Sequence, residues 1–299
     1  QPVIMMSGHG TVETAVEATK LGAYDFIEKP LSLDKTLLTI AHALEAVKLR
    51  QENLDLRRQA QPINSITGNS PAITLLRQQL ERVAVTDAWV LLSGPSGSGK
   101  EVAARHLHAH SRRASGPFVD VKAAAITRPN VLVELFGSEQ DQRIHPGRLE
   151  QAQRGTLFLD EIADMDLESQ ARLLSALQEG RFLRVNGVTP VQINVRVIAA
   201  SSRDLRQEMQ AGRLREDLFY RLSVVPLQVP ALADRREDIP ALVHEFVAYY
   251  KERGLTARHF SHDAFEVLAH YSWPGNVREL QNLVERLLIL ADDSEVSAT

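Results

Sequence analysis

Apolar positions fall along this chain in two rhythms, and the change from one to the other divides it. Residues 3 to 6, "VIMM", are a short apolar run ending in Ser7-Gly8, the pattern of a buried strand followed by a loop. "TVETAVEATKLGA" spaces Val12, Val16 and Leu21 as a helix does and stops at Gly22. "YDFIEKP" predicts a second strand ending on Lys29-Pro30, after which Ser32 caps a helix expected to run to about Ala60. Within it Leu33, Leu37, Ile40, Leu44, Val47, Gln51 and Leu54 alternate steps of four and three. That seam suits a dimer made through residues 33–58, a two-helix coiled coil roughly 45 Å long at 1.5 Å per residue. A helix lying on a globular domain is the alternative, which the shortness of the repeat and polar Gln51 leave open.

"QPINSITGNSP" (61–71) breaks the helix and starts a new domain. From there near-continuous apolar runs alternate with helices: "AWVLLSG" (88–94), "PFVDV" (117–121), "TLFLD" (156–160) and "VRVIAAS" (195–201). Such strands predict an α/β fold with a parallel sheet covered on both faces. Beyond Pro230 the strand pattern stops, and "DIPALVHEFVAYYKERG", "DAFEVLAHYS" and "VRELQNLVERLLILA" predict an all-helical unit. The expected divisions are 1–35, a linker helix over 36–62, an α/β subdomain over 63–232 and a helical subdomain over 233–299.

Composition narrows the setting. A charged fraction of 24% and a net charge of −4 describe an ordinary globular chain with no basic excess for nucleic acid. No apolar run approaches the 18 or so residues of a membrane helix, so no membrane partner is expected. Zero cysteines exclude disulfides and thiolate metal sites and fit a cytoplasmic protein. "QPVIMMSGHG" is no secretory leader, and a chain opening at Gln1 inside a strand reads as a fragment.

The candidate chemistry begins at "LLSGPSGSGKE". Gly94, four residues, then Gly99-Lys100 is phosphate-loop spacing, with a strand before it and a helix after. Glycines let the backbone of Gly94, Pro95, Ser96, Gly97, Ser98 and Gly99 turn N–H groups on a phosphate, and Lys100 reaches the outer phosphates. The alternative is a structural glycine turn. Glu101 stands where a Ser or Thr hydroxyl usually holds magnesium. "GTLFLDE" supplies the second half: Asp160 is expected to hold Mg²⁺, through water, and Glu161 to orient or deprotonate the attacking water. Away from a phosphate loop, two such acids would make a solvated turn. ATP and Mg²⁺ are the expected cofactors.

Arg215 and Arg221 in "LREDLFYRL" lie six residues apart, candidate cations for the γ-phosphate or surface arginines paired with Glu216 and Asp217. In "WPGNVREL" Asn276 is expected to cap a helix carrying Arg278 in its first turn. An arginine is unfavourable there unless an anion faces it. His106 and His110 share a helix face but make a weak metal site. The pairs Arg57-Arg58, Arg112-Arg113 and Arg235-Arg236 read as solvated surface.

Together "GPSGSGKE", "GTLFLDEI", "LREDLFYRLSVVPLQVP" and "WPGNVRELQN", spanning 65–290, resemble the AAA+ ATPase domain of sigma-54-dependent response regulators of the NtrC/NtrX nitrogen-regulation type. The resemblance implies an AAA+ core with a helical lid, in which Glu after the lysine is usual. It makes Arg215 and Arg221 arginine fingers reaching a neighbour's ATP in a hexameric or heptameric ring, and Arg278 the lid arginine that senses nucleotide. Residues 1–35 resemble the second half of a flavodoxin-like receiver domain. Ser7 is then its switch hydroxyl, Lys29 the lysine that pairs with a phosphoaspartate, and Lys29-Pro30 a cis bond. In the full-length protein this implies a sensor histidine kinase as partner, RNA polymerase, and DNA contact only through a C-terminal domain absent here.

Three departures qualify the resemblance. The family reaches its sigma factor through a loop reading GAFTGA after "ELFG", whereas "ELFGSEQDQRIHPGRLEQA" passes from Gly137 to Gly147 in nine residues. Asp141, Gln142, Arg143 and His145 stand there, with too little chain for the usual hairpin. The family's Asn after "PFVDV" is Lys122, expected to ion-pair with Glu161 and slow hydrolysis. The Asn ending "VIAA" is Ser202, expected at the phosphate end of the nucleotide. The reading is an ATP-binding, ATP-hydrolysing AAA+ regulator of reduced turnover with its sigma-54 contact in doubt. Its rivals are a non-catalytic ATP-binding scaffold acting by DNA occupancy, and a functional sigma-54 activator.

Overall fold

Two units make up the chain, 1–62 and 63–299. The computed structural model describes residues 3–7, 23–29, 36–45, 65–123, 131–140, 143–291 and 295–298. In the first unit β1 (Ile4–Ser7) runs parallel to β2 (Asp25–Glu28), with Ser7 opposite Glu28. The pairing brings Ser7 and Lys29 to the same end of the two strands. Residues 36–45 are helical. Ile27 and Ala43 are buried, while Leu37, Ile40 and Leu44 of the predicted seam are exposed. Val12 to Leu21, Pro30, Ser32, Leu33 and the seam from Val47 onward lie outside the described residues, as do Arg57 and Arg58.

In the second unit the helix Pro71–Ala84 starts on strong signals. Ser70 caps it by accepting from the Ile73 amide, and Pro71 sits in the first turn, where its missing N–H costs nothing. Its face of Ile73, Leu76, Leu80 and Ala84 is buried. The sheet beside it comprises β3 (Val90–Ser93), β4 (Phe118–Lys122), β7 (Thr156–Asp160), β10 (Arg196–Ser201) and β11 (Val225–Gln228), in the order β11–β3–β10–β7–β4. Every neighbouring pair is parallel. Strand alternation splits the core: Phe158 and Ile198 pack on one face with Leu80 and Leu107. Leu157, Leu159 and Val197 pack on the other with Leu173 and Leu218. All six residues of β10 are buried, Arg196 among them. Its guanidinium donates to the carbonyls of Val83 and Ala84 at 2.9 and 3.0 Å, so a buried cation finishes the C-terminus of the Pro71–Ala84 helix.

β11 adds a strand beyond the four apolar runs. Its Pro226 is tolerated because β11 is an edge of the sheet, where a missing ladder N–H can face away from the partner. Among the described residues two antiparallel strand pairs lie outside this sheet, β5 (Ser138–Gln140) with β6 (Arg143–His145) and β8 (Arg181–Leu183) with β9 (Pro190–Gln192). In the segment after "ELFG", expected to be too short for the family's usual hairpin, β5 and β6 still pair, while Asp141 and Gln142 between them lie outside the described residues. The segment is tied to the β8 side by mutual bonds of Gly137 and Glu139 with Val185, each 3.0 Å.

The helices Ile239–Glu252, His262–His270 and Asn276–Leu290 enclose a separate core of Leu242, Phe246, Leu268, Trp273, Leu280 and Val284. This is the predicted helical subdomain, with one addition. The two-residue strands β12 (His259–Phe260) and β13 (Glu295–Val296) pair in parallel across it. Among the described residues no helix is long and apolar enough to cross a membrane.

Candidate nucleotide site

Three strand ends converge at the carboxyl edge of the sheet, where open α/β sheets bind ligands. From β3 the chain turns through Gly94–Gly99 into the helix Lys100–Ala109. Lys100 is only 6% exposed. Its ammonium donates to the carbonyls of Gly94 and Pro95 at 2.9 and 3.3 Å and stands 3.4 Å from Glu161 Oε1. β7 ends at Asp160, and the next residue, Glu161, takes the left-handed conformation with φ 52°. The other Glu161 oxygen accepts from the Ser202 amide at 2.8 Å and its hydroxyl at 2.9 Å, just past β10. Lys100, Asp160, Glu161 and Ser202 are thus brought together.

Burial, and then the Glu161 carboxylate, push the Asp160 carboxyl above its usual range, with Lys100 pulling it back. Burial and Glu101 raise Asp120 in the same way. Negative charge is concentrated here on hard oxygens, the chemistry that suits magnesium. Among the described residues no group of three or more His, Cys, Asp or Glu is placed to hold a metal ion alone. The donors therefore fit a cation shared with phosphate oxygens and water.

Lys122 does not meet Glu161 as expected. Its side chain, 54% exposed, lies 3.8 Å from Glu101 and 3.7 Å from Asp120. Period-two alternation puts Asp120 and Lys122 on one face of β4, and Glu101 faces them from the phosphate-loop helix. Glu101 also binds Arg105 at 2.8 Å.

The arginines divide. Arg278 reaches the loop, its side chain 3.4 Å from Ser96 Oγ. Arg215 and Arg221 are exposed and outside the strand-end cluster. Arg215 pairs bidentately with Asp217 at 2.7 and 3.0 Å, one of the two acids expected, and Arg221 lies 4.5 Å over the Trp89 ring.

Other expectations need correcting. The helix Asn276–Leu290 is capped by Gly275, not Asn276. The buried Asn276 side chain instead accepts from Leu232 N and donates to Ser96 O, both at 2.9 Å. Arg235 is 5% exposed and donates to Ser98 O, so only Arg236 of that pair is surface. Arg113 is half-buried and chelates Asp87 at 3.0 Å. His106 and His110 do share a face, their ring centroids 4.1 Å apart and their planes tilted by 32°. Asp238, for which no sequence signal stood out, accepts from Asn69 N, Ser70 N and Ser70 Oγ at 2.7, 2.9 and 2.6 Å, tying the helical subdomain to the start of the α/β subdomain.

The sigma-54 interaction domain family matches residues 66–228, and the AAA+ ATPase lid domain matches residues 233–299. The chain belongs to the sigma-54 interaction family of AAA+ proteins. Among its relatives, the nitrogen assimilation regulatory protein NtrX of Azorhizobium caulinodans is 51% identical over 304 residues, covering 100% of this chain and 67% of that protein. The DNA-binding transcriptional regulator NtrC of Rhizobium meliloti is 44% identical, covering 97% and 60%. The crystal structure of NtrX from Brucella abortus in complex with ATP aligns with a TM-score of 0.83 at 48% identity, covering 100% of this chain and 69% of that one. The chain thus spans about two thirds of the length of these sigma-54 interaction relatives. They are NtrC- and NtrX-type transcription regulators, the type the four motifs resemble.

Proposed function

We propose that the chain binds ATP with magnesium on the loop Gly94–Lys100 and hydrolyses it between subunits, as the ATPase of a transcription regulator in a two-component system. One observation carries the reading: Lys100, Asp160 and Glu161 meet beyond the ends of β3 and β7, which flank β10, with Lys100 and Glu161 3.4 Å apart. The backbone of Gly94, Pro95, Ser96, Gly97, Ser98 and Gly99 cradles the phosphates, beside Glu101 and Ser202, and Lys100 meets the outer ones. The relative solved with ATP supports the choice of nucleotide. Asp160 would hold magnesium, which when bound would supply positive charge beside the transferred group. Glu161 orients the attacking water or takes its proton. Arg278 reads the nucleotide from the lid, and the exposed Arg215 and Arg221 serve a neighbouring copy, so turnover requires a ring.

Phosphate release measured against protein concentration tests this. Specific activity should rise with concentration, and Glu161→Gln should abolish it. The second reading is a scaffold that holds ATP without turning it over. Glu161 being engaged on both oxygens, by Ser202 and by Lys100, favours it. Tight ATP retention with no concentration-dependent release would decide for the scaffold.

By the resemblance, the small β5–β6 pair would replace the loop that carries the family's sigma-54 contact. We propose that ATP binding and assembly survive while sigma-54 remodelling is lost. The full-length protein then acts with its sensor kinase and RNA polymerase by another route. Open-complex formation with sigma-54 polymerase, driven by that full-length protein, would overturn this and restore the activator reading.

A further inference from the structure

Three consecutive carbonyls of the phosphate loop are held from the lid. Asn276 Nδ2 donates to Ser96 O at 2.9 Å, the Arg278 backbone N–H to Gly97 O at 3.3 Å, and the Arg235 guanidinium to Ser98 O at 2.9 Å. In a planar trans peptide the carbonyl of one residue and the N–H of the next point opposite ways. Holding these carbonyls toward the lid turns the N–H groups of Gly97, Ser98 and Gly99 away from it. The middle one shows where they go. Ser98 N–H donates into the loop, to Pro95 O at 3.2 Å, and the Lys100 ammonium binds that same carbonyl from 3.3 Å.

The lid donors are themselves fixed. Asn276 is 4% exposed with φ 53°, and its Oδ1 accepts from Leu232 N, so both ends of its amide are committed. Arg235 is buried with Asp238 as its nearby counter-charge. Backbone meets backbone as well: a Cβ on Gly97 would stand 2.2 Å from Gly275 O. The loop and the lid turn are therefore in direct contact.

We infer that Asn276 and Arg235 are positioning residues for the phosphates: they preset the N–H groups of the loop, so that phosphate affinity depends on a seated lid. The inference rests on the nucleotide reading above. It assigns a task to the Asn of "WPGN" and to an arginine that resembles solvated surface in the sequence.

The test is calorimetric titration of the whole chain with a non-hydrolysable ATP analogue, ADP and AMP. Asn276→Asp keeps the acceptor for Leu232 N–H and tolerates the left-handed backbone, but replaces the donor to Ser96 O with a repelling oxygen. It should weaken the ATP analogue and ADP by about tenfold, the scale of one lost positioned hydrogen bond, and AMP by less than about twofold. Arg235→Lys should shift the same ratio in the same direction. Equal losses for all three ligands, or no loss with a folded variant, would overturn the assignment, because a merely loosened lid moves AMP as much as ATP. Should Asn276→Asp not fold, Asn276→Gly fits φ 53° and removes the side chain altogether, with the same expected ratio. Failure of the unmodified chain to bind any of the three would instead sink the nucleotide reading.

Discussion

Charge is handled differently at the strand ends and on the helix Glu216–Leu222. At the strand ends Lys100 is almost wholly buried and divided among two carbonyls and Glu161, whose other oxygen is taken by Ser202. Beside that helix Arg215 pairs with a carboxylate two residues away and Arg221 rests on an indole face, both exposed to solvent. Burying charge costs free energy that only good partners offset, so the first cluster is committed within its own chain. The second has given up little hydration and can change partners cheaply. On the proposed function, the difference assigns halves of the chemistry: one copy would build the phosphate end, and the cations of the helix would be left for another.

Arg221→Ala is the strongest way to break that comparison. If the arginine serves a neighbour, turnover should fall about 10³- to 10⁵-fold, as loss of an arginine finger does. Nucleotide affinity should stay within about twofold, because Arg221 lies outside its own chain's cluster. Single-turnover hydrolysis and calorimetry read the two quantities separately. Affinity falling in step with turnover would mean the side chain acts through Trp89 on its own domain.

A stability experiment sharpens the same contrast. Asp238→Ala removes a buried carboxylate that accepts three hydrogen bonds from Asn69 and Ser70. The two Ser70 donors would be left unpaired in the interior, which should cost about 2–4 kcal/mol and lower the thermal midpoint by roughly 5–10 °C. Arg215→Ala breaks an exposed pair and should leave the midpoint where it is. Equal shifts for the two variants would erase the distinction between committed and free charge.

How much of this was legible in the residues depends on whether a local pattern had a local cause. β3, β7 and β10 announce themselves because strands buried on both faces have no polar positions to interrupt the run, and the phosphate loop follows from glycine spacing between such a strand and a helix. β11 stays hidden because Pro226 argues against a strand until its edge position is known. Arg235 looks like surface because nothing in "DRRED" tells which arginine the fold tucks beneath Ser98. Asn276 looks like a cap because asparagine favours caps, and only the docked lid offers it Ser96 O and Leu232 N instead. Each miss is a long-range contact overruling a local preference.

Lys122→Asn carries the smallest expected effect. The family resemblance sets this lysine against Glu161, and its removal would then raise turnover. In the folded chain Glu161 already has Ser202 and Lys100, while Lys122 lies with Glu101 and Asp120 and remains more than half exposed. Exposed ion pairs of this kind contribute little, so turnover at saturating ATP and magnesium should stay within about twofold. The loss of a cation beside Glu101, Asp120 and Asp160 makes the local potential more negative. The magnesium concentration for half-maximal nucleotide binding should therefore fall by about two- to threefold, which calorimetry at graded magnesium can read. A several-fold rise in turnover with unchanged magnesium dependence would mean that Lys122 swings across to Glu161. The boundary between committed and free charge would then run through the strand ends themselves, with Lys122 on the same side as Arg215 and Arg221.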